Sequence, residues 1–157
     1  MAAVLFGGLA FSQSVFAGDP GADPGSGGCS PGYWKANAVT EDPANAWFVD
    51  PTTTLDAAGF VPQSQDPNTT LLETLQLSGG EGAEGMERNL LRHCVAGILN
   101  AENPNVGYTI STGDVISMCN AVMATEDKDT MENFKDQLDV FNNVGCPIDM
   151  KGEPIND

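Results

Sequence analysis

Apolar positions recur at helical spacing in three stretches of the chain. Over residues 85–101 (GMERNLLRHCVAGILNA), Met86, Leu90, Leu91, Cys94, Ile98 and Ala101 fall on one stripe; over 112–124 (TGDVISMCNAVMA), Val115, Cys119, Val122 and Met123 fall on another. A third helix is predicted from Phe134, Leu138 and Phe141, capped by Asp129 with Glu132 and ended by Asn142-Asn143-Val144-Gly145. Three shorter helices are expected ahead of these. Ser30-Pro31 and Asp42-Pro43 each read as an N-cap followed by proline, opening helices that contain Tyr33-Trp34 and Trp47-Phe48, and Thr70-Leu71-Leu72-Glu73 reads as a capping box for a helix through Leu77.

Between Val49 and Asn68 the sequence is rich in Pro, Thr, Gln and Asp, which predicts irregular surface loop. No stretch alternates long enough for a strand. The expected fold class is therefore all-α, a small helical bundle with long irregular loops.

The ends differ from this core in composition. Residues 1–17 (MAAVLFGGLAFSQSVFA) carry no charge and close on Val15-Phe16-Ala17, which predicts a signal peptide cleaved before Gly18. The alternative is an apolar N-terminal segment retained as a hook for a neighbouring subunit. The run is too short for a comfortable membrane span, so no transmembrane anchor is expected. Residues 18–28 (GDPGADPGSGG) read as a flexible Gly/Pro/Asp lead, 29–148 as the helical domain and 149–157 as a polar tail.

Four cysteines in an exported chain form an even set. Cys94 and Cys119 each sit mid-stripe on consecutive helices, so an antiparallel hairpin brings them face to face. Cys29 and Cys146 are then left to pair near the two ends of the domain. The rival reading of Cys94 and Cys119 is a pair of buried thiols. The absence of any C-x-x-C removes the main sequence support for zinc or redox chemistry.

Charge narrows the function classes. With 22 Asp plus Glu against 6 Lys plus Arg, the formal charge is -16, and nothing in the chain would track a phosphate backbone or an anionic lipid surface. Nucleic acid is not an expected partner. Cations are the natural counter-charge, yet no segment matches the calcium loop, so no cofactor is expected and a Ca²⁺ site would need scattered oxygens.

Chemistry-bearing residues are sparse. His93 is the single histidine and reads as structural, which rules out a site of several imidazoles within one chain. Carboxylate pairs such as Glu41-Asp42, Glu81 with Glu84, and Glu126-Asp127-Asp129 lie in polar, turn-like sequence, where a raised general-acid pKa is not expected. No catalytic residue is assigned. Tyr33, Trp34 and Trp47 are candidates for an aromatic ligand platform, although core packing is the plainer reading. Asn68-Thr69-Thr70 is an N-glycosylation sequon in the predicted loop.

Three motifs carry a resemblance. Gly28-Cys29-Ser30-Pro31-Gly32-Tyr33-Trp34-Lys35, the helix from Leu90-Leu91-Arg92 to Leu99-Asn100-Ala101, and Asn142 through Gly145-Cys146-Pro147-Ile148 resemble a group of exported microbial proteins of unknown function. Members of that group open with G-C-[ST]-P-G-Y-W-K and close with N-x-x-G-C-P-[LI]. Ala36-Asn37 stands where the group has Asn-His, and Cys94 where it often has alanine. The resemblance implies export, a Cys29–Cys146 disulfide and a surface or matrix setting; it implies no reaction.

The function expected from these readings is a non-catalytic secreted or cell-surface structural or assembly protein, such as an extracellular filament or matrix subunit. Its partners would be copies of itself or other surface proteins. One alternative is an adhesion module for glycans or a divalent cation, and a second is a secreted hydrolase built on two carboxylates.

Overall fold

The computed structural model describes residues 27–38 and 47–148. Six helices follow one another in these residues: α1 (Pro31–Ala36), α2 (Leu55–Ala58), α3 (Leu71–Gln76), α4 (Gly82–Glu102), α5 (Thr112–Met123) and α6 (Lys128–Asn142). No strand forms among the described residues, and Gly28 bridges Gly145 as Thr54 bridges Thr70, each antiparallel. The fold is all-α.

Side-chain caps start five of the six helices. Ser30, Thr54, Thr70, Ser111 and Asp127 each accept from a backbone N–H in the first turn of α1, α2, α3, α5 and α6, satisfying a donor that the helix cannot. At Thr70 the box is reciprocal, because Glu73 Oε2 accepts from the Thr70 N–H at 2.9 Å. The cap of α6 lies two residues before the Asp129 expected from sequence. Asp127 wins because its carboxylate takes both the N–H and the hydroxyl of Thr130, at 2.9 and 2.6 Å.

Helix α4 is the central post. Its first half buries Met86, Leu90 and Leu91, but from Cys94 to Asn100 every residue is buried, so the helix is enclosed on all sides there. Helix α6 covers it most extensively, burying Met131, Phe134 and Leu138; α5 lies against it through Val115, Cys119, Val122 and Met123. The short helices α1 and α3 close another side with Trp34, Leu71 and Leu75. A stripe narrow enough to read from sequence thus belongs to a helix whose far half is wholly interior.

Two parts of the chain depart from expectation. Val49–Asn68 is not a loose surface loop: it contains α2, ends that helix at Gly59 in the left-handed region (φ 100°), and buries Leu55 and Phe60. Two side chains hold it down. Asn120 on α5 donates to the Gly59 carbonyl and accepts from the Val61 N–H, at 2.9 and 2.8 Å. Glu87 on α4 accepts from the N–H groups of Gln63, Ser64 and Gln65 at 2.9–3.1 Å.

The second departure is at Trp47-Phe48, which is not helical; the Asp42-Pro43 start expected for that helix lies outside the described residues, as do residues 1–26 and 149–157 with the leader and tail read there. Both disulfides pair as the helical hairpin requires, Cys94 with Cys119 and Cys29 with Cys146, with Cα–Cα distances of 6.4 and 4.5 Å.

Candidate functional site

The most organised polar group among the described residues lies where the Cys29 and Cys146 segments meet. Asn100, fully buried near the end of α4, uses all four hydrogen-bonding capacities of its amide. Oδ1 accepts from the Cys29 N–H at 2.8 Å and from Trp34 Nε1 at 3.0 Å. Nδ2 donates to the Cys29 carbonyl and to Asn142 Oδ1, each at 3.0 Å. One side chain therefore grips both backbone polar atoms of Cys29.

Asn142, also fully buried, extends the network from the last residue of α6. Its Oδ1 accepts from the Tyr108 hydroxyl at 2.8 Å, and its Nδ2 donates to the His93 carbonyl at 3.0 Å. Burial drives the Tyr108 phenol pKa well above its ordinary value, so the ring stays a neutral donor. The Trp47 indole adds a bond to the Trp34 carbonyl at 2.9 Å. Three motifs far apart in the sequence are thereby drawn into one buckle, and the Cys29–Cys146 bond closes it covalently.

Gly27 and Gly28 fit into the same buckle, so the packed unit begins before Cys29 rather than at it. The Gly28 N–H donates to the Gly145 carbonyl at 3.1 Å. A Cβ on Gly28 would collide with the Phe141 carbonyl, and one on Gly27 would stand 2.8 Å from the Val106 and Gly145 carbonyl oxygens. Only glycine passes through so narrow a gap.

Several residues singled out from sequence are structural. Trp34 is fully buried and Trp47 is 8 % exposed, with both indole N–H groups bonded inside the protein. Their faces are taken up by the core, which corrects the reading of Tyr33, Trp34 and Trp47 as a surface platform. Tyr33, half-buried, meets Trp34 edge to face with centroids 5.2 Å apart.

Asn68 is exposed in the turn before α3, where its N–H and Nδ2 both donate to Asp66 Oδ1. Glu84 pairs with Arg88 at 2.8 Å one turn along α4; Glu81 is the exposed N-cap residue of that helix, and Asp127 caps α6. These carboxylates are dispersed rather than convergent. Among the described residues no three His, Cys, Asp or Glu side chains come together as a metal-binding group, and no described helix is long and apolar enough to cross a membrane.

Sequence reasoning missed two residues that organise this architecture. Glu87 had a signal, a carboxylate beside Met86 at the head of an apolar stripe, which is out of place unless partners are waiting for it. Asn100 was visible only as a letter in the middle motif, because an amide at a helix end reads as solvent-facing until the neighbouring chain is placed. Comparison with family models, curated proteins and solved structures finds no match to this chain.

Proposed function

We propose that this protein is an exported structural or assembly unit of the cell surface or extracellular matrix. The observation that carries the reading is where its polar chemistry goes. Asn100 and Asn142 spend their amides, Glu87 its carboxylate, and Trp34 and Trp47 their N–H groups on bonds that hold the domain shut. All four cysteines are consumed in disulfides, which persist outside the reducing cytoplasm.

The position of the buckle gives the unit a definite shape for assembly. The Gly28–Gly145 bridge and the Cys29–Cys146 bond set two distant stretches of the chain beside each other at one pole. That arrangement suits a subunit joined to neighbours at one end.

The test is the association state of the secreted protein. Light scattering coupled to size exclusion, with negative-stain electron microscopy, should show concentration-dependent oligomers or filaments once salt or Ca²⁺ screens the -16 charge. A strict monomer across concentration, salt and Ca²⁺ would overturn the reading, and a saturable Ca²⁺ or glycan titration of that monomer would replace it with the adhesion module.

A further inference from the structure

His93 is the single histidine of the chain, and imidazole is the side chain whose ordinary pKa falls between pH 5 and 8. It stands on the seam between α4 and α6. Its Nδ1 is buried without a hydrogen-bond partner. Asp139 Oδ1 lies 3.5 Å away, short enough for attraction but too long for a good N–H···O bond.

The same Asp139 oxygen is already in use. It accepts from Asn143 Nδ2 at 2.7 Å, Nδ2 also donates to the Asp139 carbonyl at 2.7 Å, and Asn143 is the residue that ends α6. The His93 carbonyl meanwhile accepts from Asn142. Backbone and side chain of one residue thus both address the end of α6, two residues before the Gly145 carbonyl that holds Gly28. The charges acting on the imidazole are Asp139, Asp136 and Lys135 from α6 and Arg92 from α4; Lys135 and Asp136 pair with each other at 2.5 Å.

We propose that His93 is a proton-operated catch on the end of α6: the neutral ring leaves the Asp139 carboxylate to Asn143, whereas the imidazolium takes that carboxylate for itself, leaves Asn143 only the Asp139 carbonyl and so loosens Asn143–Cys146. The proton adds to Nδ1, and Nδ1–H then closes the 3.5 Å gap. This inference is independent of the assembly reading, since it concerns one seam within one domain.

Direction follows from the surroundings. Burial holds the His93 pKa below its ordinary 6.5, Asp139 opposes that shift, Lys135 and Arg92 reinforce it, and Asp136 opposes it. Folding therefore favours the neutral ring. The stability it represents is complete above pH 6.5 and is lost as pH falls from there toward the folded value.

The experiment is a proton NMR titration of the oxidised full chain from pH 7.5 to 4.5, following the carbon-bound protons of the one imidazole and the amides of Asn142–Cys146. The expected result is a single midpoint below 6.5, shared by the ring and the amides of Asn143–Cys146, with lower amide protection, relative to intrinsic exchange at the same pH, on its acid side. In His93→Gln that step should vanish from the amides. In Asp139→Asn the ring midpoint should drop further and the coupled amide shifts should disappear. A ring midpoint at or above 6.5, amides that ignore it, or amide steps that survive in His93→Gln would each overturn the proposal.

Discussion

Trp34 and Asn100 stand 66 positions apart in the chain, and the indole N–H of one donates to the amide oxygen of the other at 3.0 Å inside the core. The bond joins the first helix of the domain to the end of its longest helix. It also explains why Trp34 is buried beside a disulfide rather than offered to a ligand. A buried indole requires an acceptor, and Asn100 supplies one while using its other capacities on Cys29 and Asn142.

Asn100→Ala should be among the most damaging single substitutions in the protein. It strands the Trp34 N–H, both backbone groups of Cys29 and one bond of Asn142, and each buried orphan costs about 1–3 kcal/mol. A loss of at least about 3 kcal/mol in urea unfolding is expected. Asn100→Asp should fail comparably, because the Cys29 carbonyl and Asn142 Oδ1 would then face a carboxylate oxygen instead of a donor. A loss under about 1 kcal/mol for both variants would show that the network is not what holds the pole.

The two disulfides should differ in weight. Cys29–Cys146 spans 117 positions and Cys94–Cys119 spans 25. The chain-entropy relation then gives about 5 kcal/mol for the outer bond and about 3.5 kcal/mol for the inner one. Replacing Cys29 and Cys146 together by serine should lower unfolding stability more than replacing Cys94 and Cys119 together by alanine. The reverse order, measured in the same denaturant series, would show that native packing at the inner pair outweighs loop closure.

Much of this architecture was readable because its signals are local. The stripes of α4, α5 and α6, the Ser30 cap, the Thr70–Glu73 box and the facing cysteines each need only a few neighbouring residues. What sequence misplaced depends on distant partners. The stretch after Val49 reads as loop because its order comes from Glu87 and Asn120, which lie on other elements. Asp129 with Glu132 reads as the cap of α6, but Asp127 precedes the same apolar run, and only the geometry at Thr130 shows which of the two aspartates caps. The buckle was legible as three motifs, but its chemistry was not, since the bond that unites them is made by an amide with no periodicity of its own.

Glu87→Gln tests the hold on the strap between Gly59 and Asn68. The carboxylate accepts from three consecutive N–H groups, and the amide would replace one of its oxygens with an NH₂ that faces donors. A loss of about 2 kcal/mol is expected. Hydrogen exchange should quicken first at Gln63, Ser64 and Gln65, with α5 and α6 unaffected under mild conditions. Unchanged exchange at those three amides would mean that Asn120 and the burial of Phe60 suffice to pin the strap.

Acid should weaken the starts of α3 and α6. Backbone and hydroxyl bonds from Thr70 hold the Glu73 pKa below its ordinary 4.5, and the hydroxyl and N–H of Thr130 hold Asp127 below 3.8. A carboxylate with a depressed folded pKa stabilises the fold above its unfolded value, and that contribution is lost as pH falls through the folded one. Thr70→Ala and Thr130→Ala should therefore flatten the dependence of stability on pH below about 4.5, each variant losing less on acidification than the parent chain. The series belongs at 0.15 M salt or above, so that relief of repulsion within a chain of charge -16 is a screened background common to all three proteins. Parallel curves for parent and variants would show that the two hydroxyls do not favour the ionised partner and that the backbone N–H groups alone do so.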